Sequence, residues 1–266
     1  MQKAIKRVAR VLRIKRCRGL FLGALIKRSG FSFERCLNII FAGCDEAGRG
    51  CVLGSLVIGI FAADSDWDSQ LREMGVKDSK DISPARREVL AEKLRKIGKH
   101  VLVRISAEEL TELMTKGISL NEIEAIKIAD GLAVLQGELA LKHNEFSKVF
   151  VDSPDPIPSK FEQRIRKYLK IKGADKIKFV CENKAENKFP CVAAASILAK
   201  VDRDSLLEEI KKKVGTNFGS GYSSDPVTAQ YVREHHADPI LQPFLRHRWE
   251  TVKRLKSAQV DLTKYF

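Results

Sequence analysis

Apolar and polar residues along this chain follow two rhythms. Short apolar runs that suit strands are "CLNIIFAGCDE" (36–46), "CVLGSLVIGIFAA" (51–63), "LVRI" (102–105), "KVFVD" (148–152) and "KIKFVC" (176–181). Between them the spacing turns helical. Ser83-Pro84 is an N-cap and first-turn pair, followed by Leu90, Leu94 and Ile97 on one face. A second amphipathic helix is predicted from about Ser119 to His143, carrying Ile123, Ile126, Ala129 and Ala133. A third is predicted from about Pro158 to Ile171, and a fourth over 191–214, alanine-rich early and charged late. "EAGRG" joins the first two strands as a hairpin, and "GSGYSSDP" (219–226) reads as a loop.

A hairpin followed by helix–strand–helix–strand–helix predicts an α/β layered sheet with mixed strand directions. Its acids fall at strand ends: Asp45 and Glu46 close the first strand, and Asp152 closes the fourth. If those two strands are parallel neighbours, the three carboxylates share the sheet edge where active sites of such folds lie.

Composition narrows this. With 266 residues and 44% hydrophobic content, the chain can bury a core, which excludes disorder of the whole. Its apolar runs fall short of the roughly 18 residues that a membrane span needs. The net charge is +14, yet the first forty residues hold eleven Lys and Arg against one acid, Glu34. A basic chain suits a polyanionic partner. The arm itself admits three readings: a transit peptide, a DNA-binding arm, or residues upstream of the true start. The six cysteines include no C-x-x-C pair and no histidine cluster completes a zinc site, so reduced thiols and a cytoplasmic setting are expected.

The stretch "CDEAGRG" (44–50) sets acids, which repel phosphate, beside glycines and an arginine, which attract it. A solvated hairpin tip is the plain reading. A dinucleotide loop fits poorly, because Gly48, Gly50 and Gly54 are one residue off the G-x-G-x-x-G spacing. A divalent cation resolves the conflict: carboxylates hold Mg²⁺ or Mn²⁺, the ion binds phosphate oxygens, and the glycine turn offers backbone N–H groups. Phosphodiester chemistry is the expectation.

Six segments then occur in order: "DEAGRG" (45–50), "KDSK" (77–80), "VDSP" (151–154), "NKAENKFP" (183–190), "AASILAKVDRD" (194–204) and "GSGYSSDP" (219–226). The set resembles ribonuclease HII, archaeal type, from about Ile39 to about Thr251. Arg49 separates it from the sister ribonuclease HIII, which usually lacks that arginine. The resemblance implies a ribonuclease H-like mixed five-stranded sheet with flanking helices and a C-terminal helical region. It implies hydrolysis of the RNA strand of RNA–DNA hybrids. It also implies cutting on the 5′ side of a ribonucleotide embedded in duplex DNA, leaving 3′-hydroxyl and 5′-phosphate ends. Two metal ions about 4 Å apart would serve in-line hydrolysis.

By the same resemblance Asp45, Glu46, Asp152 and Glu186 match the four metal-binding, catalytic carboxylates. The family has Asp where Glu186 stands, so this carboxylate reaches one methylene further. Gly48, Arg49, Gly50 and Tyr222 match the part that reads the ribose 2′-hydroxyl, the group that separates RNA from DNA. Lys77 and Lys80 match the phosphate-contacting segment. "LRHRWET" (245–251) resembles a family segment with Arg248 in place of Ser, and Trp249 reads as core. Asp204, four residues after Lys200, reads as a salt-bridge partner on one helix face.

The chain ends "QVDLTKYF" (259–266). It resembles the Gln-x-x-aliphatic-x-x-aromatic-aromatic motif that binds the sliding clamp of replication, in which a helical turn would put Leu262, Tyr265 and Phe266 on one side as a plug with Gln259 beside them. The expected organisation is a basic extension over 1–38, disordered or not native; a catalytic domain over 39–214; a helical region over 215–256; and a clamp-binding tail over 257–266. A monomer is expected. Two rival readings keep the fold: a clamp-tethered hybrid-binding protein with weak catalysis, and a nuclease for DNA flaps or junctions.

Overall fold

A computed structural model describes residues 39–64, 67–77, 81–140 and 145–262. The basic arm, Lys80, Tyr265 and Phe266 lie outside the described residues. Five strands form one sheet: β1 (Ile39–Ala47), β2 (Leu56–Asp64), β3 (Lys99–Ile105), β4 (Glu145–Asp152) and β5 (Lys178–Glu182). Their order is β3-β2-β1-β4-β5. β1 pairs antiparallel with β2 and parallel with β4, and β4 pairs parallel with β5, so the sheet is mixed as expected.

Eight α-helices appear among the described residues: α1 (Trp67–Glu73), α2 (Pro84–Ile97), α3 (Ala107–Thr115), α4 (Leu120–Ala140), α5 (Pro158–Tyr168), α6 (Pro190–Val214), α7 (Pro226–His235) and α8 (Glu250–Leu262). The sequence pattern missed α1 and α3, yet α3 carries a readable start. Ser106 Oγ accepts the Glu109 N–H at 3.0 Å, and the four residues Ser-Ala-Glu-Glu are the S-x-x-E capping signature. α8 runs without a break across residue 256, where the tail was expected to begin. Among the described residues, no helix is long and apolar enough to cross a membrane.

The expected strand over 51–63 is corrected. β2 starts only at Leu56, because Gly54 takes a left-handed φ of 86° and Val52 N–H turns aside to the Gly221 carbonyl at 2.8 Å. Residues 51–54 thus leave the sheet and pair with the C-terminal region.

Period-two alternation divides β1 between two cores. Ile40, Ala42 and Cys44 join a cluster with Ile123, Ile128 and Leu132 of α4 and Phe161 of α5. On the opposite face, Gly43 meets α6, whose run Cys191–Ala195 packs with Leu90 and Leu94 of α2. A third cluster joins Val52 and Leu53 to Phe218, Val232, Leu245 and Val252.

α6 approaches the sheet at backbone distance. A Cβ on Gly43 would lie 2.2 Å from the Cys191 carbonyl carbon, and one on Gly59 would lie 2.3 Å from the Ala195 oxygen. Adding that one methyl forces helix and sheet apart. Gly43→Ala is expected to cost about 1–3 kcal/mol of stability, read as a lowered midpoint in denaturant unfolding; an unchanged midpoint would contradict the close approach.

Candidate active site

The two central parallel strands set the site. The β1–β4 ladder ends at Cys44↔Val151, while β1 continues beside β2 through Glu46↔Ile58 and Ala47↔Val57. Beyond that last shared rung the two strands no longer pair, and their carboxylates gather there. Asp45, Glu46 and Asp152 each offer an oxygen, all within 4.8 Å of one another. The sequence pattern has Asp45 and Glu46 close the first strand. β1 in fact continues to Ala47, and it is the pairing with β4 that ends before them.

Asp45 is buried and points toward α6, where Ser196 hydrogen-bonds it; its Oδ1 also accepts the Glu46 N–H at 2.7 Å. Burial, then the charge of Asp152, push the Asp45 carboxyl up to about 8 against those two hydrogen bonds. Glu46 lies toward α4. Burial, then the Glu124 charge, hold it well above the usual carboxylate range, and Arg49 opposes them.

Asp152 Oδ1 accepts the Ala185 N–H at 2.7 Å. That N–H is presented by Lys184, which takes a left-handed φ of 58°, the single positive-φ non-glycine residue among those described. Such backbone conformations persist where surroundings enforce them and cluster at functional sites. The same turn carries Glu186, which is buried and close enough for its charge to raise Asp45. Glu186 is not in the 4.8 Å group. It lines a shallow groove of about 120 Å³ with exposed Lys77, Arg72, Asp81 and Lys188.

The Gly48-Arg49-Gly50 turn follows directly. Gly48 has a φ of 85°, and a Cβ there would lie 2.9 Å from the Ser55 carbonyl oxygen. Across from it, Cys51 bridges Tyr222, and a Cβ on Gly50 would stand 3.6 Å from the Tyr222 ring. The loop over 219–226 is thereby fastened against the turn. Tyr222 sits under Arg203, whose guanidinium carbon is 5.1 Å from the ring centroid. Arg203 is itself buried and donates to the Ser220 carbonyl at 3.1 Å.

Arg49 turns inward. It forms a short ion pair with buried Glu124 and donates to Asn121 Oδ1 at 2.6 Å. Asp204 pairs with Lys200 at 3.3 Å, as its spacing suggested, and also with Arg203 at 3.2 Å. Trp249 packs between two apolar clusters and beneath Arg246, in keeping with its reading as core. Sequence reasoning missed Asn121, Glu124, Ser196, Arg203 and Arg246. A glutamate at a core-facing position of α4 was the one available signal. Gln259 and Leu262 belong to the α8 backbone, and their side chains lie outside the description.

A crowded cluster of oxygen donors fits a hard divalent cation rather than a soft or redox metal. A mixed β3-β2-β1-β4-β5 sheet with such a cluster at the end of its central strands has the ribonuclease H-like fold. The ribonuclease HII family pattern matches residues 42–252. Ribonuclease HII of Archaeoglobus fulgidus is 42% identical over 221 residues, covering 83% of this chain and 98% of its own. That of Pyrococcus horikoshii is 38% identical, covering 84% and 98%. The chain belongs to the ribonuclease HII family and is an endoribonuclease.

Solved structures agree. The A. fulgidus ribonuclease HII in its complex with PCNA superposes with TM-score 0.69 at 41% identity, covering 81% of this chain and 96% of that one. The P. horikoshii ribonuclease H2 gives 0.71 at 37%, covering 84% and 99%. A ribonuclease HIII in complex with Mn²⁺ gives 0.71 at 18% identity, a likeness of fold.

The raised carboxylates make metal-free stability depend on pH. Asp45 keeps a proton in the folded protein up to about 8, whereas an unfolded chain releases it near 4. The folded state therefore binds more protons across that window, and its stability falls as pH rises. The unfolding temperature of metal-stripped protein is expected to drop between about pH 5 and 8, and Mg²⁺ is expected to restore it. A flat profile without metal would contradict the crowding of the cluster.

Proposed function

We propose that this endoribonuclease hydrolyses the RNA strand of RNA–DNA hybrids and cuts on the 5′ side of single ribonucleotides in duplex DNA, leaving 3′-hydroxyl and 5′-phosphate ends. The observation that carries the reading is the gathering of Asp45, Glu46 and Asp152 within 4.8 Å directly beside the Gly48–Gly50 turn and Tyr222. In this reading Asp45, Glu46, Asp152 and Glu186 hold Mg²⁺ or Mn²⁺. The ions supply charge stabilisation at the entering and leaving oxygens of an in-line displacement.

The protein's own groups do the rest. Ser196 and the Ala185 N–H fix the carboxylates of Asp45 and Asp152. The backbone of the Gly48–Gly50 turn and the Tyr222 hydroxyl face the sugar and test for its 2′-hydroxyl. Lys77, in the groove beside Glu186, supplies positive charge for the strand's phosphates, and Lys80 extends that segment. The chain acts as a monomer in a reducing, cytoplasmic setting, and Cys44, Cys51, Cys181 and Cys191 are free thiols.

The test is a DNA duplex with one ribonucleotide, incubated with Mg²⁺ or Mn²⁺. A single cut 5′ to the ribose is expected, with no cut in the all-DNA control. Asp45→Asn is expected to lower the rate at least about 10²-fold. Uncut substrate with wild-type protein would falsify the reading.

The tail supports a second function of the same enzyme. The sequence Gln259, Leu262, Tyr265 and Phe266 has the spacing of a Gln-and-aromatic plug for a sliding clamp, and a relative at 41% identity has been solved as a complex with PCNA. Replacing Tyr265 and Phe266 by Ala is expected to weaken capture on an immobilised clamp at least about tenfold. Equal retention of the two proteins would remove the tail from this role.

A further inference from the structure

Arg49 sits where an arginine would ordinarily grip a phosphate, yet its charge is committed inside the protein. Its guanidinium meets Glu124 through Nη1 and Asn121 Oδ1 through Nη2, at 2.6 Å for the latter. Both partners lie on α4, and Glu124 is 1% exposed. Asn121 also donates to Asp155 Oδ2 at 3.3 Å, in the loop that follows Asp152. The turn after β1 and the loop after β4 are thus joined through one helix.

The turn is held from its other side as well. Arg246 is fully buried; its Nη1 donates to the Arg49 carbonyl at 3.0 Å and its Nε to the Gly54 carbonyl at 2.9 Å. Its own backbone N–H donates to the Val52 carbonyl at 3.0 Å. Burying a guanidinium is costly unless its donors are used, and two of its donors go to the carbonyls that frame the Gly-Arg-Gly turn.

We propose that Glu124 and Asn121 are positioning residues for this turn. They draw the Arg49 side chain inward while Arg246 fixes the Arg49 carbonyl, so that the backbone between Gly48 and Gly50 is held at the distance from Tyr222 that ribose recognition needs. Arg49 then acts as an internal anchor and makes no phosphate contact. This rests on the reading of the turn as the ribose reader.

Two properties separate an anchor from a phosphate ligand. An arginine on phosphate releases a counterion, so removing it lowers the slope of log affinity against log salt by about 0.9. An anchor leaves that slope alone and changes geometry, and a misplacement near 1 Å costs on the order of 10²-fold in rate. Wild type, Arg49→Gln, Glu124→Gln, Asn121→Ala and the Arg49→Gln/Glu124→Gln pair would be compared. Single-turnover cleavage of the one-ribonucleotide duplex would be measured beside its 2′-O-methyl analogue. Duplex affinity would be measured from 50 to 300 mM salt with Ca²⁺ in place of Mg²⁺.

The expected result for Arg49→Gln and Glu124→Gln is a rate loss of about 10- to 100-fold on the ribonucleotide. Discrimination against the analogue should narrow, the salt slope should match wild type, and the pair should lose no more than the worse single. A slope lowered by about one charge in Arg49→Gln, single losses that multiply in the pair, or Glu124→Gln within twofold of wild type would overturn the proposal. Should Glu124→Gln fail to fold by thermal melting, Asn121→Ala carries the same comparison at the other guanidinium nitrogen. If wild type itself cuts the two duplexes alike, the ribose reading falls first and this inference with it. If wild type discriminates and the variants discriminate equally, this inference alone falls.

Discussion

Carboxylates whose oxygens lie within 4.8 Å of one another repel, and removal from water strengthens that repulsion. Much of this molecule can be understood as the means of holding Asp45, Glu46 and Asp152 together regardless. Asp45 and Glu46 are fixed in β1, which stays paired with β2 beyond them, and Asp152 is fixed where β4 pairs Glu182 of β5. No loop relaxation can separate the three without breaking a ladder. The close approach of α6 at Gly43 and Gly59 stiffens that same part of the sheet and brings Ser196 onto Asp45. Packing stability is thus converted into electrostatic tension, and a divalent cation is the natural relief of it.

The positive charge around the site is organised on the same principle. Arg49, Arg203 and Arg246 lie within reach of the turn, but each is tied to internal carbonyls or carboxylates. Burial pushes Arg246 down to about 10, a measure of how far it has been taken from solvent. The exposed cations lie farther out, where Lys77 lines the groove with Arg72 and Lys188. Rigid guanidinium forks set the backbone shape around the turn.

Particular residues show how far the chain could be read in advance. The courses of β1 and β4, the helices over α2, α4 and α6, and the three carboxylates were legible because each rests on local periodicity or a strand-end acid. The ordered motifs pointed to Glu186, whose charge reaches Asp45, and to Tyr222, which lies against Gly50. The start of β2 was misread because Cys51–Leu53 are as apolar as a strand, and it is the distant Gly221 and Leu245 that claim them. α3 was passed over although its capping box stands in the sequence. Glu124 left one trace, a charge at a core-facing position of α4. Arg246 was not legible, because an arginine 197 positions from the carbonyl it holds has no local signature.

The sequence by itself determined the alternation that gives β1 two faces, the glycines that permit a left-handed turn at Gly48, and the acids at the ends of two strands. These follow from the conformational limits of single residues and their near neighbours. Only the tertiary structure decided that β4 would lie beside β1 and stop pairing at Cys44. Only it decided that the loop of Tyr222 would close against Gly50, and that Arg49 would turn inward to α4. Those outcomes depend on distances between groups far apart in the chain, and such distances are fixed when the cores on the two faces of the sheet are packed.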